Sequence, residues 1–133
     1  MKNQIAQKIW DKIRAAWSNG KSTSSAFNHK GKVAAIDHIM NCSIRLFEEY
    51  KNSENKVEYL KSLPWIGDIT CWHLAKNLGL NVVKPDRWLV RVANAYNMTP
   101  DGLCDEISKI TGETKHTVDL IIWRGCNLGL IRV

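Results

Sequence analysis

The sequence predicts an all-α fold, a single compact helical domain over residues 1–133, and three observations carry it. Apolar residues recur at helical spacing in nearly every segment. Helix start and stop signals punctuate the chain at short intervals. No run alternates in the manner of a β-strand, and no long internal repeat is present.

The elements follow in order. IAQKIWDKIRAAW (5–17) places Ile5, Ile9, Ile13 and Ala16 on one helical face. SNGKSTSSAFNHKGK (18–32) is polar and rich in Gly and Ser, and reads as a mobile basic loop carrying Lys21, Lys30 and Lys32. Its GKST is not a phosphate-binding loop, because Ala15 stands where the earlier glycine is needed and no strand precedes it. A long helix over 32–51 gathers Val33, Ile36, Met40, Ile44 and Phe47 on an apolar face, and its Asp37/His38 pair reads as solvated surface. Ser53 is placed to cap a short helix over 54–63. DITCWHLAKNLG forms the next helix, with Cys71, Leu74, Ala75 and Leu78 on one face and Gly79 closing it. A short extended segment leads into a helix over 86–96. Thr99-Pro100-Asp101 opens another, which stops at Gly112. The last helix lies within ETKHTVDLIIWRGCNLGL. Trp10, Trp17, Trp72 and Trp123 are expected in the core.

Composition narrows the function. The net charge is +6, which favours a polyanionic partner, nucleic acid before membrane. No apolar run approaches the ~20 residues of a membrane span, and the N-terminal residues lack the pattern of a secretory signal. Cys42, Cys71, Cys104 and Cys126 form no C-x-x-C pair, so neither zinc nor an iron–sulfur cluster is indicated. Free thiols in a reducing, cytoplasmic compartment are expected. The four histidines show no ligand spacing.

Two stretches carry chemistry. SLPWIGDIT (62–70) joins two helices by a tight turn. Unpaired N–H groups at the start of the second helix, with those of the turn, make an anion site suited to a DNA phosphate. Lys61 and Lys76 lie close enough in sequence to add charge. An ordinary helix–helix turn, with a glycine at positive φ, reads the same residues. In VVKPDRWLVRVANAY, Asp86 opens a helix 17 residues after Ile69, above Leu89, Val90 and Ala93, while Arg87, Arg91 and Asn94 form a polar stripe. A half-shielded acid beside cationic side chains suits charge stabilisation at a DNA backbone. The same Asp86 is equally fit to be a plain helix cap.

Together, Leu63-Pro64-Trp65-Ile66-Gly67 and Asp86-Arg87-Trp88-Leu89-Val90-Arg91-Val92 resemble the paired motifs of the helix-hairpin-helix DNA glycosylase superfamily, the group of endonuclease III and the 3-methyladenine glycosylases. The match covers residues 53–96. The resemblance implies a base excised from DNA at its N-glycosidic bond, with Asp86 as the catalytic carboxylate. It implies a phosphate held by the amides of Trp65, Gly67 and Ile69, and Lys61, Lys76, Lys84, Arg87, Trp88 and Arg91 are expected to add contacts to the DNA. It also implies backbone carbonyls of Lys61, Leu63 and Ile66 able to hold a monovalent Na+ or K+; no other cofactor is required.

The chain departs from that family at four points. Ile69 stands where bifunctional members carry a lysine, so Schiff-base strand cleavage is not expected. Trp65 replaces a glycine, which calls for negative φ there. Trp88 replaces a histidine. The chain is short, so a partner subunit could complete the base pocket. The expected activity is a monofunctional DNA glycosylase. The competing readings are a glycosylase-fold transferase that adds an amine or amino acid to an activated thymine, as in phage-type systems, and a DNA-binding module without chemistry.

Overall fold

The chain is all-α in a computed structural model that describes residues 2–133, with side chains from Gln4 onward. Helices α1 (Lys2–Ser18), α2 (Lys30–Asn52), α3 (Lys56–Lys61), α4 (Thr70–Asn77), α5 (Arg87–Ala95), α6 (Pro100–Thr111) and α7 (Lys115–Asn127) follow in order, with one 3-10 turn at Thr23–Ser25. No strand occurs among the described residues. None of the described helices is long and apolar enough to cross a membrane. By packing, the chain divides into two units, Met1–Ser53 and Glu54–Val133.

In the first unit α1 and α2 both pack on the 3-10 turn. Residues 18–32, expected as a mobile loop, are tied down there. Thr23 is buried and its Oγ1 accepts from Trp17 Nε1 at 3.1 Å. Asp37 accepts from the Ser22 hydroxyl at 2.6 Å and the Thr23 N–H at 3.0 Å. Those bonds, the Ser22 hydroxyl first, hold the Asp37 carboxyl below its usual value. Asp37 is therefore a tether rather than part of a solvated pair. The apolar face expected on α2 is also corrected: Ala35 and Tyr50 are the buried residues, while Met40 and Phe47 are exposed and Ile44 is 82% exposed.

The second unit has α3 packed on α4, and α5, α6 and α7 packed on one another. Leu89, Val92 and Ala93 of α5, Leu103 and Cys104 of α6, and Val118, Ile122 and Cys126 of α7 close its core with Val83. Local capping chemistry sets the boundaries. Ser53 ends α2, and it is Asn55 that caps α3, accepting from Glu58 N–H. Leu78 closes α4 and Gly79 follows at φ 90, with the Leu80 N–H donating to Ala75 O at 3.0 Å. Thr99 and Gly112 bound α6 as the sequence signals require. Thr114 caps α7.

All four cysteines are free, with Cys71, Cys104 and Cys126 buried. Burial pushes the Cys104 thiol up to about 12, so it is inert at neutral pH. The tryptophans depart from expectation. None of the six is among the buried residues; Trp10 and Trp123 are exposed, and Trp17 and Trp72 are half-buried.

Candidate functional site

The hairpin occupies the span between α3 and α4, residues 62–69. The Leu63 carbonyl accepts from the Ile66 N–H at 3.2 Å, around Pro64 and Trp65. Trp65 has φ 63. Proline second and a left-handed residue third is the signature of a type II turn, which favours glycine in the third place. The expectation of negative φ at Trp65 is thus overturned. The tryptophan adopts the glycine's conformation, at a cost of roughly 1–2 kcal/mol. Its indole is 58% exposed. Gly67, by contrast, is not in the left-handed region, and a β-carbon there would meet nothing within 4 Å. Strain at 65 makes a testable order among small replacements. Gly or Asn at 65 is expected to exceed Val by about 1–2 kcal/mol in urea denaturation, because a β-branched residue tolerates positive φ worst. Equal stability of the three would remove the strain from the account.

Helix α4 begins without a side-chain cap at Ile69. The amides of Gly67, Asp68, Ile69 and Thr70 find no acceptor among the described residues. The positive end of the helix therefore faces outward, with the half-exposed Ile69 side chain at its start. Lys61, expected to meet phosphate, is paired instead with Asp68 at 2.6 Å. Its hydrogen bond to Asp68 raises the Lys61 ammonium above its usual value. As to a monovalent cation, the Leu63 carbonyl accepts from the Ile66 N–H and has a second lone pair.

Asp86 is the N-cap of α5. Its Oδ1 accepts from the Trp88 N–H at 2.9 Å and the Leu89 N–H at 3.1 Å. Its Oδ2 has no partner among the described residues. Asp86 also lines an open pocket of about 330 Å³ with His73 and Lys76 of α4, Lys84, and Asp119, Leu120 and Trp123 of α7. Of the two roles foreseen for this residue, the structure shows the helix cap, made through Oδ1.

Beneath the pocket lies a buried ion pair. The Asp119 side chain is 2% exposed and that of Lys76 13%, and they meet at 2.7 Å. The same Asp119 oxygen, Oδ2, accepts from the Lys84 N–H at 2.7 Å. No buried polar side-chain atom lacks a partner among the described residues, so Oδ1 of Asp119, which has none, keeps an opening to solvent.

The structure thus brings Asp86, Lys76 and Lys84 to one pocket and leaves Lys61, Trp65, Gly67 and Ile69 on the hairpin. Lys76, expected to add charge at a phosphate, pairs with Asp119 at 2.7 Å. Arg87 and Arg91 lie on the outer stripe of α5, their guanidiniums over the Trp88 ring at 5.1 and 5.5 Å. Asp119, His73 and Trp123 were not foreseen at the site. For Asp119 a signal existed: an acid inside VDLII is a charge at a core position of an apolar helix.

Burial in the pocket wall, and then the Lys84 and Lys76 charges, hold the His73 imidazole below its usual 6.5. The unfolded chain therefore binds a proton that the folded chain refuses. The stability linked to His73 is full above pH 6.5 and is lost as pH falls from there toward the lower folded value. Thermal melts across that window are expected to show a fall that His73→Gln removes; an unchanged slope in the variant would exclude His73 as its source.

Comparison of the chain with protein-family models, curated proteins and solved structures finds no match.

Proposed function

We propose that this chain is a small monofunctional DNA glycosylase, cleaving the N-glycosidic bond of a damaged or modified base with Asp86 as the catalytic carboxylate. The observation that carries this reading is the division of labour at Asp86. Oδ1 is fixed by two helix amides, Oδ2 has no partner among the described residues, and the residue lines a pocket with Lys76, Lys84 and Trp123. A carboxylate held this way stabilises a cation-like sugar and accepts a proton from an attacking water. The bond from the sugar to the base breaks with its electron pair leaving on the base, and the water oxygen takes its place. Exposed Ile69 supplies no amine, which agrees with hydrolysis rather than Schiff-base chemistry.

In this reading the uncapped start of α4 grips a DNA phosphate, with Arg87 and Arg91 on the backbone and the exposed Trp65 and half-buried Trp88 against the nucleic acid. The Lys61, Leu63 and Ile66 carbonyls would be the holders of a Na+ or K+ ion, which would add positive charge next to that phosphate. Asp68 opposes this grip, since its carboxylate neutralises Lys61 and stands before the helix. Asp68→Asn is accordingly expected to tighten binding to a duplex several-fold and to steepen its salt dependence by about 1 in log–log slope. Weaker binding in that variant would place the phosphate elsewhere.

The deciding experiment is mass spectrometry of bases and nucleosides after incubation with duplexes carrying uracil, hypoxanthine, methylated purines, normal bases or a thymine whose methyl carbon bears a leaving group, the last with an amine or amino acid present. Free base with an abasic site supports the glycosylase. A heavier nucleoside makes the chain a base-modifying transferase. No product, with steeply salt-sensitive binding, makes it a DNA-binding module.

A further inference from the structure

We infer that Asp119 is the positioning residue for Asp86, acting through the peptide of Lys84; this rests on Asp86 being the catalytic carboxylate. Asp119 Oδ2 holds the Lys84 N–H at 2.7 Å. The Lys84 carbonyl in turn accepts from the Asp86 N–H at 2.7 Å, around Pro85. A bond from residue i+2 back to residue i closes a γ-turn, and the proline ring suits the φ of its central position. From the other side, α5 holds Asp86 Oδ1 through two amides. Asp86 is therefore fixed twice: its side chain to the helix start, and its backbone to a turn anchored on α7. Residues 78–86 carry no helix or strand of their own; the Leu80 N–H holds their start to Ala75, Val83 packs in the core, and Asp119 holds the stretch next to Asp86 at Lys84.

The anchor is stiff because it is buried. Asp119 is charge-balanced by Lys76 within the same cluster, so one acid joins α4, α7 and the segment that carries Asp86. A hydrogen bond to an ionised, buried acceptor is among the stronger kinds. Loss of the anchor moves Asp86 without touching it, and a shift of about 1 Å at a reacting group costs up to ~100-fold in rate.

Two double variants test this, because both remove the buried charges and so avoid an unpaired ion. Lys76→Met with Asp119→Asn keeps an oxygen for the Lys84 N–H; Lys76→Met with Asp119→Leu does not. Amide hydrogen exchange by NMR reads the turn, and kcat and KM for base release from the duplex that wild type cleaves read the chemistry. The Asn pair is expected to keep the Lys84 and Asp86 amides protected. The Leu pair is expected to lose that protection and to fall to a kcat about 100-fold below the Asn pair at similar KM. A merely structural role would lower stability in the Leu pair and leave kcat per folded molecule equal. Equal kcat in the two, or an Asp86 amide still protected in the Leu pair, overturns the inference. Failure of the underlying reading shows separately, as base release surviving in Asp86→Asn.

Discussion

Asp86→Asn is expected to lower base release by about 10²–10⁴-fold while leaving the fold and DNA affinity in place. The reason is the split use of its two oxygens. Asn caps a helix about as well as Asp, so the bonds from the Trp88 and Leu89 amides survive the change. What is lost is the negative charge on the pocket oxygen. Asp86→Ala is the companion variant: it removes cap and charge together, and is expected to cost about 1 kcal/mol of stability on top of the activity. Single-turnover base release and urea denaturation on both variants separate the roles. If Asp86→Asn retains full activity, the carboxylate is a cap and nothing more.

Lys76→Met is expected to cost about 3–5 kcal/mol, because it leaves the Asp119 carboxylate, 2% exposed, without its counter-ion. Adding Asp119→Asn is expected to recover most of that loss, since it removes the stranded charge and keeps an acceptor for the Lys84 N–H. Urea denaturation of the single and double variants decides it. A single variant of near wild-type stability would mean that Asp119 is solvated.

The contrast between these two residues shows what the sequence carried. Asp86 was legible because its signals are local: an acid before an amphipathic run announces a helix start. Thr99 with Gly112 bounded α6 for the same reason, and the hairpin span of 62–69 emerged as read. Asp119 was not legible as a partner, because its bonds reach 43 residues back to Lys76 and 35 back to Lys84. Burial of an acid within VDLII could be suspected from composition, but its partner could not be chosen from nineteen cationic residues. Trp65 escaped for another reason. Steric preference argued against positive φ, and turn geometry overrode it. The stretch 18–32 looked like a loop because its ordering comes from Asp37, outside it. The apolar stripe on α2 had the right period, yet periodicity alone does not say which face meets a neighbour.

The long reach of Asp119 has a consequence in time as well as in place. Helix caps close within a few residues and form early, whereas a bond across 43 residues waits for the helices to dock. Interactions that are absent from the folding transition state slow unfolding and leave the folding rate alone. Removal of the Lys76–Asp119 pair is therefore expected to speed unfolding more than it slows folding, so that the pair governs how long the pocket stays assembled once made.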